Sequence, residues 1–171
     1  MKGSVFPDVI VLTGFMGAGK STVGRLLASR LDWPFVDSDD AIESASGLTI
    51  AEIFTQRGEP WFRELEHQTI RQLVESERLV LALGGGAIED QRTRDLLLNT
   101  TGTRLIHLEA SLQTGLSRCE GTDSIRPVLA NRPLLESRYE LRLPLYRQAH
   151  HSVLVDRLTP EEVAAAILSH L

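Results

Sequence analysis

The chain of 171 residues carries a single cysteine, Cys119, which excludes an internal disulfide framework, and its first residues lack the cationic, apolar and small-residue order of an export signal. A reducing, cytoplasmic setting is therefore expected. No apolar stretch approaches the roughly 18 residues needed to cross a bilayer; typical runs are Val9 to Leu12 and Leu79 to Leu83. No membrane partner is expected. Thirteen glycines and seven prolines are too few for a low-complexity or collagenous chain. With a net charge of -5 the chain lacks the basic surface on which nonspecific nucleic-acid binding rests, so no nucleic-acid partner is expected. The five histidines show no metal-ligand spacing and His150 and His151 are adjacent, so zinc is not expected. Lysine is the scarcest basic residue, at two against 16 arginines, and apart from Lys2 the one retained is Lys20.

What is present is ordinary globular composition, 42% hydrophobic and 24% charged, at a length that suits one domain over residues 1–171. Short apolar, β-branched runs at Asp8 to Thr13, Pro34 to Val36, Leu79 to Leu83, Thr103 to Leu108 and Ser152 to Val155 predict five strands, buried on both faces. Between and after them Lys20 to Leu31, Glu59 to Glu75, Asp90 to Asn99, Ser111 to Arg118, Leu134 to Ala149 and Pro160 to Leu171 have helix length and composition. Strand and helix in alternation predict a parallel sheet wrapped by helices. Thr159-Pro160-Glu161-Glu162 marks a helix start, with a capping hydroxyl, proline at the first helical position and acids at the positive end of the dipole. Residues 121–133 have neither period and read as either a mobile flap or a surface loop.

Gly14-Phe15-Met16-Gly17-Ala18-Gly19-Lys20-Ser21-Thr22 follows a predicted strand and opens a predicted helix, the context a phosphate-binding loop requires. Its glycines let the backbone turn and aim N–H groups inward, the helix N-terminus adds partial positive charge, and Lys20 reaches the outer phosphates. Gly14, Gly17, Ala18, Gly19, Lys20, Ser21 and Thr22 are thus candidates for binding a nucleoside triphosphate, with Ser21 also placed to ligate Mg²⁺. After the second strand comes Asp37-Ser38-Asp39-Asp40: either Asp37 serves the metal and Asp39 the acceptor, or the cluster is an acidic helix N-cap before Ala41-Ile42. After the third comes Gly84-Gly85-Gly86, which either admits a ligand close to the backbone or makes a tight turn. Arg63 and Arg142 on predicted helices are solvated residues or anion ligands, and Cys119 is a packed or hinge residue.

Together with Phe62-Arg63-x-x-Glu66, Arg126-Pro127 and Arg142-x-Pro144-Leu145-Tyr146, these motifs resemble the shikimate kinase family in order and spacing over nearly the whole chain. The resemblance implies a three-layer, doubly wound α/β fold with a five-stranded parallel sheet of the P-loop, nucleoside monophosphate kinase type and a mobile lid over about 121–133. It implies transfer of the γ-phosphoryl group of ATP to the 3-hydroxyl of shikimate by a cytoplasmic monomer that uses Mg²⁺. Lys20, Asp39 and Arg126 would be catalytic, with Arg126 the lid arginine on the ATP phosphates. Ser21 and Asp37 would hold the metal. Asp39, Arg63, Gly84, Gly85, Gly86 and Arg142 would bind the acceptor, the two arginines on its carboxylate and the glycines as backbone donors to its hydroxyls. Glu66 would orient Arg63, and Ile50, Phe54 and Phe62 would supply apolar walls or simply core. The family's adenine-contacting arginine falls at Cys119, with Arg118 one step before it, and the stretch Val155 to Pro160 resembles the loop over adenine. Another small-metabolite kinase, of gluconate or nucleotide type, or a noncatalytic ATP-binding regulator are the rival readings.

Overall fold

A computed structural model of the protein describes residues 6–119 and 131–171. Five strands, β1 (Val9–Thr13), β2 (Phe35–Asp37), β3 (Leu79–Ala82), β4 (Thr103–Glu109) and β5 (His151–Leu154), form one sheet in the order β2-β3-β1-β4-β5. Every pairing is parallel, with Val11 of β1 opposite Leu81 on one side and Leu105 on the other. The helices are α1 (Lys20–Leu31), α2 (Ser38–Ser46), α3 (Ile50–Arg57), α4 (Glu59–Leu73), α5 (Gln91–Asn99), α6 (Leu112–Cys119), α7 (Arg132–Tyr146) and α8 (Pro160–Leu168).

Alternation along each strand divides the apolar side chains between the two faces of the sheet. Ile10 and Leu12 of β1 pack with Val23 and Leu27 of α1 and Val163 and Ile167 of α8. Val9 and Val11 pack on the opposite face with Ile70 of α4, Leu97 of α5 and Leu135 of α7. The result is the three-layer doubly wound α/β arrangement expected. In such a sheet the loops after the strand C-termini converge where the strand order reverses. Here β1 and its following loop occupy the centre, flanked by the ends of β3 and β4.

The sequence expectation omitted α2 and α3. Ser, Asp and Ala dominate α2, and neither helix is long enough to be stable alone in water. Both are held by a satellite core in which Ile42, Ile53 and Phe62 bury against one another. Burying one such side chain contributes about 1.5–3 kcal/mol. A capping box, Thr49 with Glu52, starts α3 and Gly58 ends it. Helix α7 begins earlier than expected: Asn131 caps it through the Leu134 N–H, and Pro133 sits within its first two positions. Residues 131–133 therefore form the capped start of a helix and not a flap; the rest of the expected lid, 121–130 with Arg126 and Pro127, lies outside the described residues. The Thr159 start of α8 is formed as expected, with a reciprocal cap from Glu162.

Candidate active site

The loop from Gly14 to Gly19 leaves β1 at the centre of the sheet and turns into α1. Gly17 and Gly19 adopt φ of 73° and 91°, a left-handed region that side chains other than glycine rarely occupy. Gly17 is also constrained by packing, because a Cβ there would overlap the carbonyl of Gly115 on α6. The Ala18 side chain is buried and its N–H donates to the Phe15 carbonyl at 3.2 Å, which tightens the loop. Lys20 folds back over the cradle, its Nζ donating to the carbonyls of Gly14 at 2.7 Å and Phe15 at 3.2 Å. Ser21 and Thr22 are exposed at the helix N-terminus. An anion arriving at this loop meets a lysine and a helix dipole already in position.

The Ser21 hydroxyl donates to Asp37 Oδ2 at 3.0 Å, joining the start of α1 to the end of β2. The other Asp37 oxygen accepts the Asp39 N–H at 3.0 Å and caps α2. Both readings of the acidic cluster therefore hold at once for Asp37: it is a helix cap and it stands beside Ser21. A hydroxyl and a carboxylate so close present hard oxygen ligands suited to Mg²⁺, which is ordinarily completed by substrate phosphates and water.

Asp39, in the first turn of α2, points across the cleft onto the glycine triplet. A Cβ at Gly84 would lie 2.6 Å from its carboxylate, so only glycine permits this approach. Burial, and then the neighbouring charge of Asp37, push the Asp39 carboxyl up to about 6, against the pull of Lys20 and Arg63. The group thus sits within electrostatic reach of both halves of the site. The Gly84 N–H, expected to serve the acceptor, donates instead to the buried hydroxyl of Ser38 at 3.0 Å. Gly84 contributes room for Asp39, and Ser38 fixes it.

Arg63 projects from the first turns of α4. Its Nη1 donates to Glu66 at 2.6 Å, one helical turn on, as their spacing predicts. Glu66 is 2% exposed, and that burial pushes its carboxyl up to about 7 despite the ion pair. A Cβ at Gly86 would lie 2.5 Å from Arg63 Nη2, so this glycine too is the residue that lets a guanidinium close in. Arg142, on α7, reaches the same place from the other side: a Cβ at Gly85 would lie 3.6 Å from Arg142 Nη1 and 3.7 Å from the Gly14 carbonyl oxygen. The triplet is therefore the meeting point of the phosphate loop, Asp39, Arg63 and Arg142. Of the apolar candidates, Phe62 is core, Ile50 packs against the same cluster, and Phe54 keeps an exposed face while its ring lies 4.8 Å from that of Phe62. Arg118 donates to the carbonyls of Gly17 at 3.3 Å and Val155 at 3.2 Å, tying the phosphate loop to the segment before α8. Cys119 is buried.

Four residues at the site, Tyr146, His107, Glu89 and Ser38, carry no expected role of their own from the sequence. Tyr146, one turn beyond Arg142, is buried and donates to the Gly85 carbonyl at 2.5 Å. Burial raises its pKa, so the phenol remains a donor. Its ring stacks on His107 of β4, which burial keeps neutral by lowering its pKa to about 4. Glu89, in the short turn Ala87–Glu89, accepts from Arg142 Nε at 2.6 Å and lies 3.9 Å from Arg63 Nη2. Tyr146 stands in the Arg142-x-Pro-Leu-Tyr motif, but its partner is 61 residues away, and no local pattern signals Glu89 or Ser38. Among the described residues no group of three or more His, Cys, Asp or Glu is placed to hold a metal ion, and no helix is long and apolar enough to cross a membrane.

Comparison with known proteins matches residues 16–171 to the family model described as shikimate kinase. A shikimate kinase of Rhodococcus jostii is 46% identical over 165 residues, covering 94% of this chain and 96% of the relative. One of Streptomyces avermitilis is 43% identical, covering 95% and 94%. Among solved structures, shikimate kinase from Acinetobacter baumannii in complex with shikimate superposes with a TM-score of 0.88 at 36% identity, covering 97% of this chain and 93% of that one.

Proposed function

The chain belongs to the shikimate kinase family, and from that premise we propose that it transfers the γ-phosphoryl group of ATP to the 3-hydroxyl of shikimate. The products are shikimate 3-phosphate and ADP, in the route to chorismate and the aromatic amino acids. The observation that supports this reading is the convergence at Gly85, where Arg142 Nη1 and the Gly14 carbonyl oxygen stand 3.6 and 3.7 Å from the one point a Cβ would occupy. A carboxylate held there leaves the rest of a small ring between Asp39 and the nucleotide cradle.

In this reading the backbone of Gly14, Gly17, Ala18 and Gly19 cradles the phosphates with Ser21 and Thr22 at the helix start, and Lys20 leaves its own carbonyls for the outer phosphates. Ser21 and Asp37 hold Mg²⁺, which when bound neutralises charge on the phosphates. Arg63 and Arg142 seat the acceptor's carboxylate, a task that suits the planar guanidinium fork better than an ammonium. Asp39 accepts a hydrogen bond from the hydroxyl that is phosphorylated and takes or directs its proton, with the 84–86 backbone lining the ring. Arg126, in the segment outside the described residues, completes the charge around the migrating group as the lid arginine. Since phosphoryl transfer passes through a loose transition state, catalysis rests on positioning and electrostatics. On the same reading the enzyme is a single-domain cytoplasmic monomer with small-molecule partners, and neither nucleic acid nor membrane is among them.

ADP release measured against a panel of acceptors tests this directly. Stimulation by shikimate, and not by gluconate or nucleoside monophosphates, is the expected result. Stimulation by another acceptor selects a different small-metabolite kinase, and no stimulation by any selects an ATP-binding regulator.

A further inference from the structure

The two guanidiniums assigned to the acceptor already share a carboxylate of the protein. Glu89 accepts from Arg142 Nε at 2.6 Å and stands 3.9 Å from Arg63 Nη2, so it bridges residues from α7 and α4 that are otherwise separate in the chain. Its oxygen takes the Nε of Arg142, one of the donors that make up the guanidinium's bidentate edge. Arg142 is 13% exposed and Arg63 18%, so the bridge is screened less than a surface ion pair, while Glu89 itself is 39% exposed and opens onto solvent. Beside it, Glu59, Pro60, Arg63, Glu89 and Asp90 line a cavity of about 380 Å³. Arg63 keeps Glu66 and Glu59 as further partners, so losing Glu89 would not leave it unpaired.

We propose that Glu89 is an internal competitor for the acceptor's carboxylate. Resting on the function proposed above, the account is an exchange of one carboxylate for another. Shikimate's carboxylate displaces Glu89 from Arg142, and the freed side chain turns into the adjoining cavity. Glu89 thereby weakens the binding of every ligand that uses this seat through a negative charge, and leaves uncharged ligands of the same shape unaffected. It sets the affinity for the acceptor without touching the reacting atoms.

Binding calorimetry on the full chain tests this with shikimate and with methyl shikimate, which keeps the ring hydroxyls and lacks the charge. Glu89→Gln removes one unit of competing charge at nearly constant shape, and it should bind shikimate about fivefold more tightly than the natural chain, the equivalent of a modest ion pair. Methyl shikimate should gain less than about twofold, since it has no charge to exchange. Glu64→Gln, which makes the same change of charge at a residue paired with Arg92, controls for the general field and should leave both ligands unchanged within about twofold. Glu89→Asp withdraws the carboxylate by one methylene and should give an intermediate gain. Unchanged or weaker shikimate binding in both Glu89 variants, or equal gains for the acid and its ester, would overturn the competitor role. If the natural chain itself binds no shikimate, the acceptor assignment falls first, so the two failures are distinguishable.

Discussion

Residues 14–22 make their half of the cleft almost wholly from backbone and one lysine, whereas the other half takes single side chains from α2, α4 and α7 and sets them on a glycine turn after β3. The first half is built mainly from nearby residues: Lys20 donates at 2.7 Å to the Gly14 carbonyl six residues before it, while the longer-range bonds of Ser21 to Asp37 and of Arg118 to Gly17 tie the loop to the rest of the fold. The second is assembled across the molecule, through bonds such as Gly84 to Ser38, 46 residues apart, and Arg142 to Glu89, 53 apart. The contrast fits the ligands. A polyphosphate is recognised by many equivalent N–H groups and a dipole, which a tight loop supplies. A small hydroxy acid needs a few groups of different kinds at fixed distances, which only a rigid scaffold supplies.

Substitutions that separate the halves sharpen this contrast. The largest effect is expected for Lys20→Met, which should lower kcat by about 10³-fold with the fold intact, because a charge aimed at the transferring phosphates is lost. Steady-state ADP release with thermal melting as a fold control checks it, and substantial surviving turnover would remove Lys20 from the reaction.

Asp39→Asn should lower kcat by about 10²-fold while ATP binding stays nearly constant. The same substitution has a pH signature. The carboxyl titrates near 3.8 when unfolded and about 6 in the folded chain, so the native state holds its proton more tightly and loses stability as pH rises between those values. The asparagine variant is spared that loss: relative to the natural chain its melting temperature should rise from pH 4 to 6 and hold its advantage above. Acceptor-saturated activity of the natural enzyme should decline below about pH 6 as Asp39 protonates. A variant with a near-normal rate, or with no pH-dependent stability difference, contradicts the environment described for Asp39.

The smallest of the three is Arg142→Ala, expected to raise the KM for shikimate by about 30-fold, the size of losing a partly buried charged hydrogen bond. The KM for ATP should hardly move. Equal increases in both would mean that the two halves are not separable.

The same division governs how much could be read in advance. The five strands and α1 follow from apolar runs and a glycine loop, and the phosphate cradle from a single motif, because each is written in consecutive residues. Helices α2 and α3 are not legible in the periodicity, which is thin, because a remote core at Phe62 holds them, although Thr49 and Glu52 form a legible capping box. Asn131-Arg132-Pro133 repeats the cap-then-proline pattern of Thr159-Pro160, yet its neighbours carry no helical period and the sequence alone gives a loop there. Asp39 follows from its place just after a strand, beside the phosphate loop, whereas Arg63 and Arg142 emerge only through motif resemblance, since taken singly they read as surface residues. Ser38, Glu89 and Tyr146 matter only through partners that folding brings from far along the chain.

The most direct measurement is a crystal structure of the chain with ADP, Mg²⁺ and shikimate bound together. The account predicts shikimate's carboxylate on Arg63 and Arg142, its 3-hydroxyl against Asp39, and that hydroxyl facing the nucleotide phosphates in the Gly14 to Thr22 cradle. Shikimate bound with its carboxylate away from both arginines, or with its 3-hydroxyl directed away from the phosphates, would contradict it.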